Sequence, residues 1–241
     1  MGDVTKAVIF DFYGTLAHWA DGDASSYETV FAAFGYELPQ AVRDGYFSLY
    51  DGVDHAEHSV SEDAYEAWVR HRLGELTRVC GVDANHREPM VDALRSLDQH
   101  PMVAYEEAAE TLATLRGSGL AVGVCSNWGW ELDAYLEKVG LLDLVDCTIT
   151  SARAGSRKPH PGIYECSLKL LGIRAEQAIF AGDSWEPDVR GPRRMGMGAV
   201  HVWRPDERVG QQPPPLEPGD VRVGDLTGVA STAGVAEGVV P

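Results

Sequence analysis

Positive charge is in short supply: 20 Lys and Arg face 37 Asp and Glu, for a formal net charge of -17 at pH 7. Nucleic acid and anionic membrane surfaces would both be repelled unless a local basic patch overrode this field, so neither is expected as a partner. The basic groups that occur, Arg153 with Arg157 and Lys158, and Arg190 with Arg193 and Arg194, are small enough to be single-site or helix-end charges. Cysteine is sparse too. Cys80, Cys125, Cys147 and Cys166 stand far apart with no CxxC pair, and two of them fall in apolar strand-like runs where a reduced thiol acts as a small hydrophobe. That usage suits a reducing compartment. No apolar run reaches the roughly 18 residues a membrane span needs. Met1 leads almost directly into a strand without a charged leader and apolar signal segment, so the expected location is the cytoplasm. Internal repeats are lacking as well. What remains is a chain of 241 residues, 44% hydrophobic and 24% charged, which suffices for a large core or a core with a smaller insertion.

The core is organised around Ala7-Val8-Ile9-Phe10-Asp11-Phe12-Tyr13-Gly14-Thr15-Leu16. Its apolar start predicts a strand buried on both faces, as in the middle of a parallel sheet, and Asp11 ends it where open α/β sheets place their ligands. A mostly helical region follows to about residue 101, with helices expected over Tyr27–Phe34, Pro39–Tyr50, Glu62–Val79 and Pro89–Leu97. The clearest is Glu62–Val79, where Tyr65, Trp68, Val69, Leu73 and Leu76 recur at three- and four-residue steps. From Tyr105 onward helices alternate with strands: Leu120–Cys125, Cys147–Thr150, Ala178–Ala181 and Ala199–Trp203 are strands, and Trp130–Val139, Gly162–Leu171 and Asp188–Met195 are helices. Such alternation predicts an α/β fold, a Rossmann-like doubly wound, mainly parallel sheet carrying a small α-helical cap domain. The Pro-rich stretch 204–220 reads as loop, Val221–Leu226 as an edge strand, and residues 229–241 as a loose C-terminal tail.

Polar residues cluster at the ends of these strands. Ser126-Asn127 follows one, Gly182-Asp183-Ser184 with Asp188 follows another, and Arg157-Lys158-Pro159 precedes a helix. Parallel strands bring such ends to one edge, where a carboxylate nucleophile, a hydroxyl, an amide, a lysine and further carboxylates would converge. That set suits attack on a phosphoryl group assisted by a divalent cation. In order and spacing these elements resemble the haloacid dehalogenase superfamily of hydrolases, and the likeness covers nearly the whole chain. Asp11 to Leu16 looks like its first motif, Ser126 its second, Lys158 its third, and Asp183 with Asp188 its fourth. The resemblance implies a core of residues 1–16 and 102–228, with residues 17–101 as the helical cap inserted after the first motif. It also implies a small-molecule substrate and a monomer or homodimer.

For the site, the resemblance implies Asp11 as nucleophile, Thr15, Ser126 and Asn127 around the transferring group, Lys158 as counter-charge, and Mg2+ held by Asp11, Asp183 and the Tyr13 carbonyl, with Asp188 orienting that shell or Lys158. Tyr13 departs from the pattern. Phosphatases of the superfamily usually have a second Asp there as general acid, and a phenol near pKa 10 is poorly matched to that task at neutral pH. Tyr13, and Tyr164 six residues after Lys158, resemble the metal-free 2-haloacid dehalogenases. Asp183 points the other way, because those enzymes carry small neutral residues in its place and a carboxylate beside Asp11 requires a cation. The expected activity is a magnesium-dependent phosphohydrolase working through an aspartyl-phosphate, the alternatives being a metal-free 2-haloacid dehalogenase and a catalytically weakened binding protein. Arg43 in the cap reads as a solvated helix residue rather than an anion ligand. His55 and His58, in a poorly periodic stretch with Glu57, read as solvent-exposed. Trp128, Trp130 and Trp185 are candidates for the mouth of the site.

Overall fold

The computed structural model describes residues 4–20, 26–48, 54–97 and 101–235. β1 (Ala7–Phe10) is buried at every position, as its apolar sequence requires. It pairs in parallel with β4 (Ala121–Ser126) on one side and β6 (Ala178–Gly182) on the other, Ala7 standing opposite both Ala121 and Ala178. With β5 (Cys147–Thr150), β7 (Gly198–Val202) and β8 (Val221–Val223) they form a six-stranded parallel sheet in the order β5-β4-β1-β6-β7-β8. The sheet is covered on both faces. Val8 and Phe10 pack with Leu112 and Leu115 of α5 (Ala108–Gly117), Leu136 of α6 (Leu132–Lys138) and Val229 of α10 (Thr227–Thr232). Ile9 faces the opposite way, against Ile163, Tyr164 and Leu168 of α8 (Pro161–Leu171). This period-two split of one short strand is the physical basis of the doubly wound fold.

Between β1 and this main run lie α1 (Tyr27–Ala33), α2 (Gln40–Ser48), α3 (Glu62–Val79) and α4 (Ala84–Ser96), which enclose an apolar cluster of their own around Phe31, Leu73, Leu76, Met90 and Leu94. α3 starts where Ser61 accepts a hydrogen bond from the Ala64 amide and ends before Gly81, as its sequence signals suggested. α4 begins five residues before the expected Pro89 start. Asp83 takes the N-cap position and Pro89 lies inside the helix; the loss of one hydrogen bond there, about 3 kcal/mol for an interior proline, is offset by burial of Met90, Val91 and Leu94. The last two residues expected in the second helix, 49 and 50, lie outside the described residues.

Several local features were not foreseen. β2 (Ala17–Trp19) and β3 (Met102–Ala104) form an antiparallel ribbon exactly where the chain leaves and rejoins the main sheet region, each too short to show alternation. The segment expected as helix Asp188–Met195 begins instead as a π-turn over Trp185–Arg190 and continues as α9 (Gly191–Arg194), and α7 is a single turn at Ser151–Ala154. The expected loose tail starts within α10, whose Val229 is fully buried in the main core. Residues 236–241 lie outside the described residues. Among the described residues no helix is long and apolar enough to cross a membrane.

Candidate active site

Parallel alignment of β1, β4 and β6 carries Asp11, Ser126 and Asp183 to the same sheet edge. Asp11 Oδ1 accepts hydrogen bonds from Ser126 Oγ at 2.9 Å and from Lys158 Nζ at 2.7 Å. The same ammonium reaches Asp188 Oδ1 at 2.7 Å, and Lys158 is only 2% exposed. Burial alone would lower its pKa, but the Asp11 and Asp188 charges outweigh that effect and hold it above the ordinary lysine value. Lys158 is therefore a permanent cation clamped between two carboxylates.

Asp188 is placed by the π-turn. Its Oδ2 accepts from the Ser184 amide at 3.0 Å, so both of its oxygens are engaged. The chain must pass close behind it: a Cβ on Gly182 would lie 2.5 Å from Asp188 Cγ. Tyr164 fixes the same turn by donating to the Pro187 carbonyl at 2.5 Å. Thus the tyrosine that resembled a dehalogenase residue acts here as a strut behind the site.

Thr15 joins the first strand end to β6, its Oγ1 accepting from the Asp183 amide at 3.1 Å and lying 3.5 Å from Asp11 Oδ2. Gly14, at φ +78°, lets the turn pass beside Asp183; a Cβ there would stand 2.9 Å from Asp183 Cγ. Asn127 does not face the carboxylates. Its amide donates to the Lys158 carbonyl at 3.0 Å and accepts from the Lys158 amide at 2.7 Å, which makes it a positioning residue for the lysine. Tyr13 packs its ring against Trp19, with centroids 5.6 Å apart, and is 37% exposed.

Asp11, Asp183 and Asp188 each offer an oxygen within 4.8 Å of the others. Burial, and next the Asp11 charge, push Asp183 above the ordinary carboxylate range, while Arg208 and Lys158 oppose the shift. Arg208 was not foreseen. It donates to Asp183 Oδ2 and, at 3.2 Å, to the Asp183 carbonyl, and its guanidinium lies 4.6 Å from the Trp203 ring centre. The loop that carries it is aperiodic, but it follows β7, beside β6, so the strand-end rule that found Asp183 would also have drawn attention to it. Arg204 of the same loop pairs with Glu107 at 2.7 Å and covers the Tyr105 ring at 3.6 Å.

The weaker candidates separate clearly. Arg43 pairs with Glu28 at 2.7 Å on an exposed surface, as a solvated helix arginine should. His55 is not solvent-exposed: it is 2% exposed and stacked on Trp68 at 4.8 Å, and His58 stacks on the same indole at 5.1 Å. Trp128 and Trp130 line two neighbouring clefts that share Tyr65, Arg95 and Glu131, whereas Trp185 packs on His201 at 5.2 Å.

The haloacid dehalogenase-like hydrolase family model matches residues 5–196, and a second model of the same kind matches residues 155–238. The chain belongs to this family of hydrolases. It is 28% identical to the human haloacid dehalogenase-like hydrolase domain-containing protein 3, over 83% of this chain and 82% of that protein. It is 33% identical to the phosphoserine phosphatase of Thermus thermophilus, over 68% of this chain and 66% of that one. Its fold is similar to the L-2-haloacid dehalogenase of Xanthobacter autotrophicus, with a TM-score of 0.62 at 22% identity over 97% of this chain and 100% of that one.

Proposed function

We propose that the chain is a magnesium-dependent phosphohydrolase that cleaves a small phosphorylated metabolite through an aspartyl-phosphate on Asp11. Residues 1–16 and 102–228 serve as the hydrolase core and residues 17–101 as the cap over it. The observation that carries the reading is the trio of carboxylates with oxygens within 4.8 Å, faced by one ammonium and one guanidinium. One negative charge is left over in a buried site, and a hard divalent cation that prefers carboxylate oxygens fits it. Asp11, Asp183 and the Tyr13 carbonyl would hold the ion. Asp188, with both oxygens committed to Lys158 and the Ser184 amide, orients the lysine instead. Magnesium, when bound, supplies charge to the phosphoryl oxygens. The phosphatase name of the Thermus thermophilus relative supports the same chemistry.

Asp11 attacks phosphorus through its carboxylate, of which Oδ1 is held by Ser126 and Lys158 while Oδ2 makes only the long Thr15 contact. Its bond to phosphorus forms as the bond to the ester oxygen breaks, and the departing alcohol takes a proton from solvent, which the attacking water of the second step returns. Water then attacks the same phosphorus, the Asp11 carboxylate is restored, and inorganic phosphate departs. Lys158 offsets charge on the nucleophile throughout, and the Thr15 hydroxyl, which accepts from the Asp183 amide, has its own proton to donate to the transferring group.

A metal-free 2-haloacid dehalogenase is the second reading, favoured by Tyr13 and by Arg208, which gives Asp183 a cation within the chain. The discriminating experiment titrates magnesium against hydrolysis of an aryl phosphate and, in parallel, measures halide release from 2-chloropropionate. Metal-dependent phosphate release is expected. Halide release that survives exhaustive chelation would replace it with the dehalogenase reading.

A further inference from the structure

Next to the reaction centre lies a cleft of about 230 Å³, bounded by Trp19, Tyr46, Tyr65, Trp128, Arg72 and Arg157 among others. Asn127, whose side chain holds the Lys158 backbone, also lines it, and Arg157 precedes Lys158 in the chain, so the cleft borders the segment that carries the lysine bound to Asp11. Its character is opposite to that of the chain as a whole. In a protein of net charge -17, the described residues of its lining include Arg72, Arg95 and Arg157 against one carboxylate, that of Glu131. Arg95 is paired with Glu66 at 2.7 Å. The Arg72 guanidinium lies 4.9 Å from the Tyr46 ring centre and 4.6 Å from that of Trp68, so two rings hold it flat. Arg72 on α3 and Arg157 on the loop before Lys158 both act on the same two neighbours, Tyr65 and His55, opposing the burial-driven rise of the phenol and adding to the burial-driven fall of the imidazole.

Two further observations point to a ligand. The indole Nε1 of Trp128 is buried and has no hydrogen-bond partner among the described residues, and an acceptor seated in the cleft would satisfy it. The aromatic walls are continuous with the first motif: Trp19 lies 6.0 Å from Trp128 and 5.6 Å from Tyr13. A neighbouring cleft, lined among the described residues by Glu62, Asp63, Glu66 and Glu131 with Arg95 as its one cation, would repel an anion, so the first cleft is the place for one.

Resting on the phosphohydrolase reading, we infer that this cleft selects phosphate monoesters with a second anionic group, a carboxylate or another phosphate, on a flat or apolar body. Arg72 and Arg157 meet the distant anion, and Trp19, Tyr65 and Trp128 flank the body between the two charges. The reacting phosphoryl group would then lie at Asp11 while the far end determines affinity. Both guanidiniums present planar donor forks, the geometry that carboxylates and phosphates accept.

The test compares phenyl phosphate with 4-carboxyphenyl phosphate and 1,4-phenylene bisphosphate, which share a ring and differ in the distant group. A preference in kcat/KM of about tenfold or more for either doubly anionic ester, carried mainly by KM, is expected from a charge-assisted contact. Arg72→Gln and Arg157→Gln should each reduce that ratio severalfold, and Arg72→Lys should restore part of it. Which anion gains more identifies the source. A ratio near unity in the parent, or one unaffected by both substitutions, overturns the inference. Binding of benzoate and benzamide, followed through tryptophan fluorescence, separates this from the chemistry. Arg72-dependent binding of benzoate but not benzamide, with no ester hydrolysed, would leave the cleft assignment standing and defeat the phosphatase reading. Equal binding of the two would defeat the cleft assignment alone.

Discussion

At the proposed reaction centre each of the three carboxylates touches one of two cations: Lys158 holds Asp11 and Asp188 at 2.7 Å each, and Arg208 holds Asp183. In the cleft beside it the fixed elements are rings, with Arg72 lying on Tyr46 and Trp68 and with Trp19 beside Trp128. The first region is built from strand ends and the turns that follow them, on a sheet with core on both faces. The second combines strand ends with helices whose apolar cluster is their own. A rigid charge lattice suits a step in which charge must be stabilised without reorganisation, and ring surfaces suit recognition of the part that does not react. Chemistry and selectivity should therefore respond to different substitutions.

The sharpest division between the two regions comes from Asp11→Asn, which is isosteric but has no anionic nucleophile. Turnover should fall by about 10⁴-fold or more, with circular dichroism and benzoate binding in the cleft unchanged; comparable rates in variant and parent would end the covalent mechanism. Tyr13→Asp comes next. Alkyl phosphates, which need a protonated leaving group, should lag behind nitrophenyl phosphate by roughly 10²- to 10⁴-fold in the parent, and the variant should narrow that gap. Plots of kcat/KM against leaving-group pKa that are equally shallow in both proteins would mean that the proton has another source.

Smaller effects are expected at Asp183, the carboxylate proposed to hold the metal. Asp183→Asn should raise the half-saturating magnesium concentration by about tenfold or more, since it removes a charged ligand. Arg208→Gln should lower that concentration a fewfold by withdrawing a competing cation from the same oxygen, and a rise would show that Arg208 supports metal binding instead. The smallest effect lies away from the chemistry, at His55, where burial, and next the Arg157 charge, lower the imidazole to about 4. Between about pH 6.5 and 4 the unfolded chain would bind a proton that the folded chain does not. Stability is thus lost as pH falls through that window, at up to about 1.4 kcal/mol per unit. Thermal melts of the parent and His55→Gln should converge as the pH is lowered; a gap independent of pH would contradict this.

The sequence was most informative where local order coincides with spatial order. The apolar run before Asp11, the Ser126 strand end and the Gly182-Asp183 turn each carry their own signal, and parallel pairing then brings them together. The central strands and most of the helices were legible for the same reason. The ribbon of Ala17–Trp19 with Met102–Ala104 was not, because three-residue strands show no period and pair across the whole helical insertion. Arg208 was hidden in a Pro-rich loop with no pattern, and His55 looked exposed because its burial comes from stacking on Trp68 rather than from periodicity. Arg72 and Arg157 belong to the same class: each is an ordinary arginine until the fold places it against aromatic walls.

The central claim is a covalent phosphoryl group on Asp11. Its most direct test is rapid acid quenching of the protein during turnover of nitrophenyl phosphate with magnesium, followed by borohydride reduction and peptide mapping. Residue 11 should be recovered partly as homoserine, the reduction product of an acyl phosphate, only when both substrate and metal are present. Full-rate hydrolysis with residue 11 unreduced, or reduction at another carboxylate, would contradict it.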